Sequence, residues 1–101
     1  MLFAVMLEDE PKNADARPKH RGAHQAYLEK NLDKVRDAGP LLDPTSGASL
    51  GGMWLVEAEN EGDVRKIVEN DPFYHAGLRK SVRIARWKLV FSGGKKVASA
   101  Q

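Results

Sequence analysis

The residues best suited to chemistry form two clusters: Arg17, His20, Arg21 and His24 early in the chain, and Asp71-Pro72-Phe73-Tyr74-His75-Ala76-Gly77-Leu78 beyond its middle. On a helix, Arg17, Arg21 and His24 lie on roughly one face, with Leu28 a turn further on. That stripe is cationic at its N-terminal end and apolar afterwards. Cations at a helix N-terminus oppose the helix dipole, so an anion is expected nearby. Asp71 is one source of that charge, and a substrate carboxylate or phenolate is another. A histidine beside a buried carboxylate has a fixed tautomer and is suited to proton transfer near neutrality. The competing reading is a rim histidine flanked by surface arginines.

In the second cluster, Asp-Pro is a frequent turn starter and Gly77 is placed to take a backbone angle that other residues avoid. Phe73 and Tyr74 read as walls of a pocket. His20 and His24, four apart, have a spacing that can hold one metal ion, with His75 as a third ligand. No Glu follows His20 as in the zincin motif, so no metal is expected.

The elements that must position these groups follow from apolar periodicity. Residues 1–7 read as a strand that is apolar at both parities, with Phe3, Val5 and Leu7 facing one way and Leu2, Ala4 and Met6 the other. Glu8 to Ala16 reads as a loop. A helical pattern runs from Pro18 to Asp37, carrying His24, Leu28 and Val35 on its buried face and Tyr27 and Leu32 at the margins, and Gly39-Pro40 ends it. Leu41-Leu42 begins a short strand, and Asp43 to Gly47 is a turn or mobile loop. Gly51 to Ala58 is a strand, again apolar on both faces. Asn60 caps a second helix whose stripe is Val64, Ile67 and Val68 and which ends near Asn70. Ser81 to Phe91 is the last strand, and residues 93–101 are read as a mobile tail.

The order β-α-β-β-α-β is the ferredoxin-like plan: a four-stranded antiparallel sheet with two helices on one face. Because three strands are apolar on both faces, the uncovered face is expected to pack on a second copy, as a homodimer of the dimeric α/β-barrel type. With 101 residues, one domain over residues 1–92 is expected. A formal net charge of +2, with acids and bases interspersed, excludes the basic footprint of a nucleic-acid binder. Cysteine is absent, which excludes disulfides, Cys-based zinc sites and thiol nucleophiles. The apolar run at the start is too short for a signal peptide or a membrane span, so a cytoplasmic protein is the expectation.

Asp71 to Leu78, followed by Val82-Arg83-Ile84 and Trp87, resembles the signature segment of the YCII-related (YciI-like) proteins. Arg21-Gly22-Ala23-His24 is similar to that family's Arg-x-x-His, Ala38-Gly39-Pro40-Leu41 to its Ala-Gly-Pro turn, and Gly51-Gly52 to its Gly-rich strand entry. The resemblance implies a ferredoxin-like fold, a dimeric barrel and a site around a His–Asp pair, here His24 and Asp71, with Arg21 three residues before the histidine. It also implies chemistry like that of a chlorinated-hydroquinone dehydrochlorinase, with muconolactone isomerases and cofactor-free monooxygenases among related barrels. The resulting expectation is a cofactor-free lyase or isomerase. His24 and Asp71 would act on the proton, and Arg21, Arg17, Phe73 and Tyr74 would contact a small anionic or phenolic substrate. The rival is a non-catalytic ligand-binding or interaction module on the same barrel. Two positions depart from the family pattern: Gly52 stands where some members carry Ser, and Arg86 where Pro is usual.

Overall fold

The computed structural model describes residues 1–97. Its strands are β1 (Leu2–Asp9), β2 (Val35–Leu42), β3 (Ser49–Glu57) and β4 (Arg79–Arg86), and its two main helices are α1 (Ala16–Glu29) and α2 (Glu61–Glu69). A 3-10 turn, Pro11–Asn13, precedes α1, and a single-turn helix, α3 (Pro72–His75), links α2 to β4. The four strands make one antiparallel sheet in the order β2-β3-β1-β4. This is the ferredoxin-like arrangement expected from the element order.

Strand alternation decides which side chains the helices cover. Phe3, Val5 and Leu7 of β1 lie beside Val56, Trp54 and Gly52 of β3. Val35 from β2 and Val64, Ile67 and Val68 from α2 close the buried core, with Tyr27, Leu28, Val82 and Ile84 packed against it. Asn60 caps α2 as expected, its Oδ1 accepting the Asp63 N–H at 2.9 Å. On the opposite parity, Ala4, Met6, Met53, Ala85 and Trp87 line a shallow depression.

Several boundaries differ from the sequence expectation. Helix α1 stops at Glu29 rather than Asp37. Asn31 Nδ2 bonds back to the Tyr27 carbonyl at 2.8 Å, and the Asn31 carbonyl takes the Lys34 and Val35 N–H groups, so the chain turns. Val35 is buried as the first residue of a strand, paired with Val56, and Leu32 is 64% exposed. The helical spacing of Val35 is a coincidence that sheet pairing overrides. Gly39-Pro40 accordingly lies inside β2 and does not end a helix. A proline is tolerated there because β2 is an edge strand.

The last long strand ends at Arg86, not Phe91. Phe91–Ser92 and Lys95–Lys96 form a separate small hairpin, β5 and β6, turned by Gly93 and Gly94 at φ 60° and 77°. Residues 93–97 of the expected mobile tail therefore include ordered structure, and residues 98–101 lie outside the described residues. At the other end of the sheet, β1 runs two residues further than expected, to Asp9.

Gly51 marks the tightest approach in the sheet. Its φ is 156°, and a Cβ there would overlap the Leu7 carbonyl oxygen. Backbone atoms cannot move aside without breaking the β1–β3 ladder. Gly51→Ala is expected to destabilise the protein by more than about 3 kcal/mol, with loss of soluble expression or of the cooperative thermal transition as the readout. A variant melting within a few degrees of the parent would contradict this.

Candidate active site

Asp71 follows Asn70, the C-cap of α2, and is itself the N-cap of α3. It is 1% exposed, and its Oδ1 accepts the Phe73 N–H at 3.1 Å, so the Asp-Pro pair both turns the chain and fixes the carboxylate. Gly77, at φ 77°, then turns the chain from α3 into β4. From α1, His24 places Nδ1 2.8 Å from Asp71 Oδ1 and 3.0 Å from Oδ2. Asp71 is already an acceptor for a backbone N–H, so the shared proton belongs on Nδ1. Nε2 has no hydrogen-bond partner among the described residues. The imidazole stacks on Phe73, centroids 4.0 Å apart and 15° from parallel, and Trp54 lies 6.3 Å away. Ring orientation is therefore held by a hydrogen bond at one edge and an aromatic plane along one face.

A second charge network adjoins this pair. Arg17 grips Asp9 through Nε at 3.2 Å and Nη2 at 2.8 and 3.0 Å. Arg79 Nη1 donates to the other side of the same carboxylate, at 3.0 Å from Oδ1, and Ser49 Oγ donates to Oδ2 at 3.0 Å. Arg79 Nη2 lies 4.0 Å from Asp71 Oδ2. The two guanidinium carbons sit 5.2 and 5.3 Å from the Phe73 ring centre. Burial pushes the Arg79 guanidinium down from its ordinary value, and the charges of Asp9 and Asp71 oppose that shift. Even so lowered, arginine stays a cation. Burial, and secondarily the charge of Asp71, raises the Tyr27 phenol, whose hydroxyl donates to the Ile67 carbonyl at 2.6 Å.

Arg17, His24, Trp54, Phe73 and Arg79 border a cavity of about 180 Å³. Of the residues anticipated from sequence, Arg17, Arg21, His24 and Phe73 line it, and Asp71 stands behind His24. Tyr74 does not line it. That residue is 38% exposed and turns its edge to His75. His20 and His75 are likewise absent from the lining. Ala38, Gly39 and Pro40 of β2, Gly52 and Trp54 of β3, and Arg79 of β4 supply the remaining walls, with Gln25 and Leu28 from α1.

Asp9 and Arg79 were missed in the sequence, where Asp9 falls in an expected loop. A register shift after Glu8 brings Asp9 opposite Arg79 at the sheet's end. The available signal was the cationic start of α1, which called for an anion. Asp9 lies two residues past the apolar run of β1 and answers Arg17, whereas Asp71 answers His24.

The family model for the YCII-related domain matches residues 1–88. The chain belongs to the YCII-related family. This agrees with the resemblance carried by the Asp71–Leu78 segment and the Arg-x-x-His of α1. The YCII-related chain is 28% identical over 98 residues to Protein YciI of Escherichia coli O6:H1, covering 90% of this chain and 100% of that protein. It matches Protein YciI of Shigella flexneri to the same extent, again 28% over 98 residues. Among solved structures, it is similar to 5-chloro-2-hydroxyhydroquinone dehydrochlorinase (TftG) from Burkholderia phenoliruptrix AC1100 in complex with 2,5-dihydroxybenzoquinone. That likeness has 37% identity and a TM-score of 0.79, and covers 87% of this chain and 94% of the other.

Proposed function

We propose that this YCII-related protein is a small-molecule enzyme of lyase or isomerase type, acting on a single-ring phenolic or anionic substrate. The observation that carries the reading is the 2.8 Å contact of His24 Nδ1 with Asp71 at the wall of a cavity of about 180 Å³. A cavity of roughly 150 Å³ holds benzene, and pockets for drug-sized ligands begin near 300 Å³, so the size suits one substituted ring. The similarity to a dehydrochlorinase with a dihydroxybenzoquinone bound supports a hydroquinone-like ring.

In this reading His24 Nε2 takes a proton from the substrate, and the freed electron pair forms a new π bond. In the lyase case the proton is first returned to the chlorine-bearing ring carbon, giving the keto tautomer, and on a second deprotonation chloride departs from that tetrahedral carbon with its bonding pair. In the isomerase case the imidazolium returns the proton at another ring position. Asp71 holds the ring in place and balances the imidazolium charge. Arg21 and Arg17 draw the substrate's anionic group to the cavity. A proton shuttle of this kind needs no cofactor.

The test is chloride release from 5-chloro-2-hydroxyhydroquinone and related halogenated hydroquinones, together with exchange of ring C–H protons into deuterium oxide. Either signal is expected to depend on His24. Tight binding of such compounds with neither reaction would instead favour the non-catalytic ligand-binding module.

The depression lined by Ala4, Met6, Met53, Ala85, Arg86 and Trp87, apolar apart from Arg86, supports a homodimer packed sheet to sheet. Met6 and Met53 are paired neighbours at its centre. Met53→Glu is expected to convert a particle of about twice the 11.2 kDa chain mass into a monomer, measured by light scattering at micromolar concentration. A monomeric parent protein would end the dimer proposal.

A further inference from the structure

We infer that Arg79, assisted by Arg17, is the anion-recognition group of the cavity and restricts its ligand to a single-ring anion, with a carboxylate or phenolate oxygen set against the guanidinium beside Gly52. The inference rests on the cavity being a substrate site, and it names the class of molecule that site takes.

Charge balance is the first argument. Arg17, Arg21 and Arg79 line the cavity and, among the described residues, no carboxylate does. Asp9 is shared, with Arg17 Nη2 at 2.8 Å and Arg79 Nη1 at 3.0 Å, so one negative charge answers two guanidiniums. Asp71 is committed to the His24 ring and the Phe73 N–H, and approaches Arg79 no closer than 4.0 Å. The two buried guanidiniums are thus answered by two carboxylates, Asp71 only at 4.0 Å. With the exposed Arg21, the cavity wall carries one positive charge more than these carboxylates balance, which a monoanion would neutralise.

Donor accounting points the same way. The Arg79 side chain is 3% exposed, and its Nε has no hydrogen-bond partner among the described residues. Nη2 makes no hydrogen bond among the described residues either, with only Asp71 Oδ2 at 4.0 Å, so the Nε–Nη2 edge, which offers parallel N–H groups to a carboxylate, is the edge without hydrogen bonds. Buried donors are normally paired, and one left over beside a cavity calls for an acceptor.

The wall is also shaped for such a group. At Gly52 a Cβ would sit 3.7 and 3.8 Å from Arg79 Nη1 and Nη2, so a side chain there would pack onto the end of the guanidinium. Trp54, Pro40 and Leu28 give the remaining walls an apolar character suited to a ring. Arg21 is exposed on α1 and is left to steer the anion rather than hold it. The competing role for Arg79 is a structural clamp between Asp9 and Asp71, which predicts no discrimination between charged and neutral ligands.

Benzoate, 4-nitrophenolate and benzamide, titrated into the full-length protein and followed by nitrogen-edited NMR, separate the two. At least one of the anions is expected to bind about tenfold or more tighter than benzamide. Which of them prevails tells carboxylate from phenolate. In Arg79→Gln the preference is expected to vanish. Should that variant not fold, the wild-type Arg79 Nε–H resonance, assigned by its loss in Arg79→Lys, is expected to shift with the preferred anion and not with benzamide. Equal affinity for all three probes, binding of none at millimolar concentration, a preference that survives in Arg79→Gln, or an unmoved Nε–H signal would each overturn the inference.

The parent reading fails separately. His24-dependent turnover without anion preference sinks the role of Arg79 and leaves proton transfer standing. Arg79-dependent anion binding without turnover does the reverse.

Discussion

Replacing His24 with Gln is expected to lower turnover of a cavity-sized substrate about 10²- to 10⁴-fold, the usual range for loss of a general acid–base group. The side-chain amide still reaches toward Asp71 and carries no proton-transferring nitrogen. Substrate binding depends on the arginines and the ring walls, so KM should stay within roughly threefold of the parent value. His24→Ala would confuse the result, because it also strips the stacking partner from Phe73, whose ring lies 4.0 Å from the imidazole. The measurement is steady-state chloride release, with single-turnover kinetics to separate chemistry from product loss. A Gln variant that keeps the parent kcat would show that His24 takes no part in the chemistry. A variant with raised KM and unchanged kcat would assign it a binding role only.

Asp9→Asn should produce the largest loss of stability among the site residues, about 3–5 kcal/mol, the range found when one partner of a buried ion pair is removed. Asp9 accepts from Arg17, Arg79 and Ser49 through both oxygens. An amide has one acceptor oxygen, and its NH2 would face a guanidinium, donor against donor. Arg79, only 3% exposed, would then keep its charge with Asp71 no nearer than 4.0 Å. For a chain of this size 1 kcal/mol moves Tm by about 4–8 °C, so a drop of at least about 12 °C is expected. Adding Arg79→Met should restore much of it, because the buried cation leaves together with its counter-ion. A single variant within about 3 °C of the parent would mean that water already satisfies Arg79. A double variant no better than the single would mean that Asp9 acts through Arg17 alone.

His24 and Asp71 were legible because residue type and spacing both marked them. A histidine interrupts the apolar stripe of a helix, and an aspartate precedes proline at a corner. The distance between them was not legible. Forty-seven residues separate them in the chain, and only the packing of α1 beside α3 brings Nδ1 to the carboxylate. Tyr74 read as an equal of Phe73, yet the short helix α3 points them apart: Phe73 is 1% exposed and Tyr74 38%. Adjacent positions on a helical turn differ by about 100°, so one of them had to leave the cavity. Arg79 stayed hidden because nothing local distinguishes it from the exposed Lys80 and Arg83 that follow on the same strand.

By itself the sequence determined the element order, the two apolar parities of β1 and β3, the Asn60 cap, and the candidate proton-transfer pair. These depend on periodicity and side-chain chemistry, which act over a few residues. Tertiary structure decided where α1 ends, because the pairing of Val35 with Val56 outweighs a helical spacing that Val35 satisfies only by coincidence. It also decided that Pro40 belongs to an edge strand, and that Asp9 and Arg79 meet across a register shift. The ion network around Phe73 therefore appears only once β1 and β4 are paired. Its charges are set by composition, but their separation, and hence whether they attract, repel or await a ligand, is a property of the folded sheet.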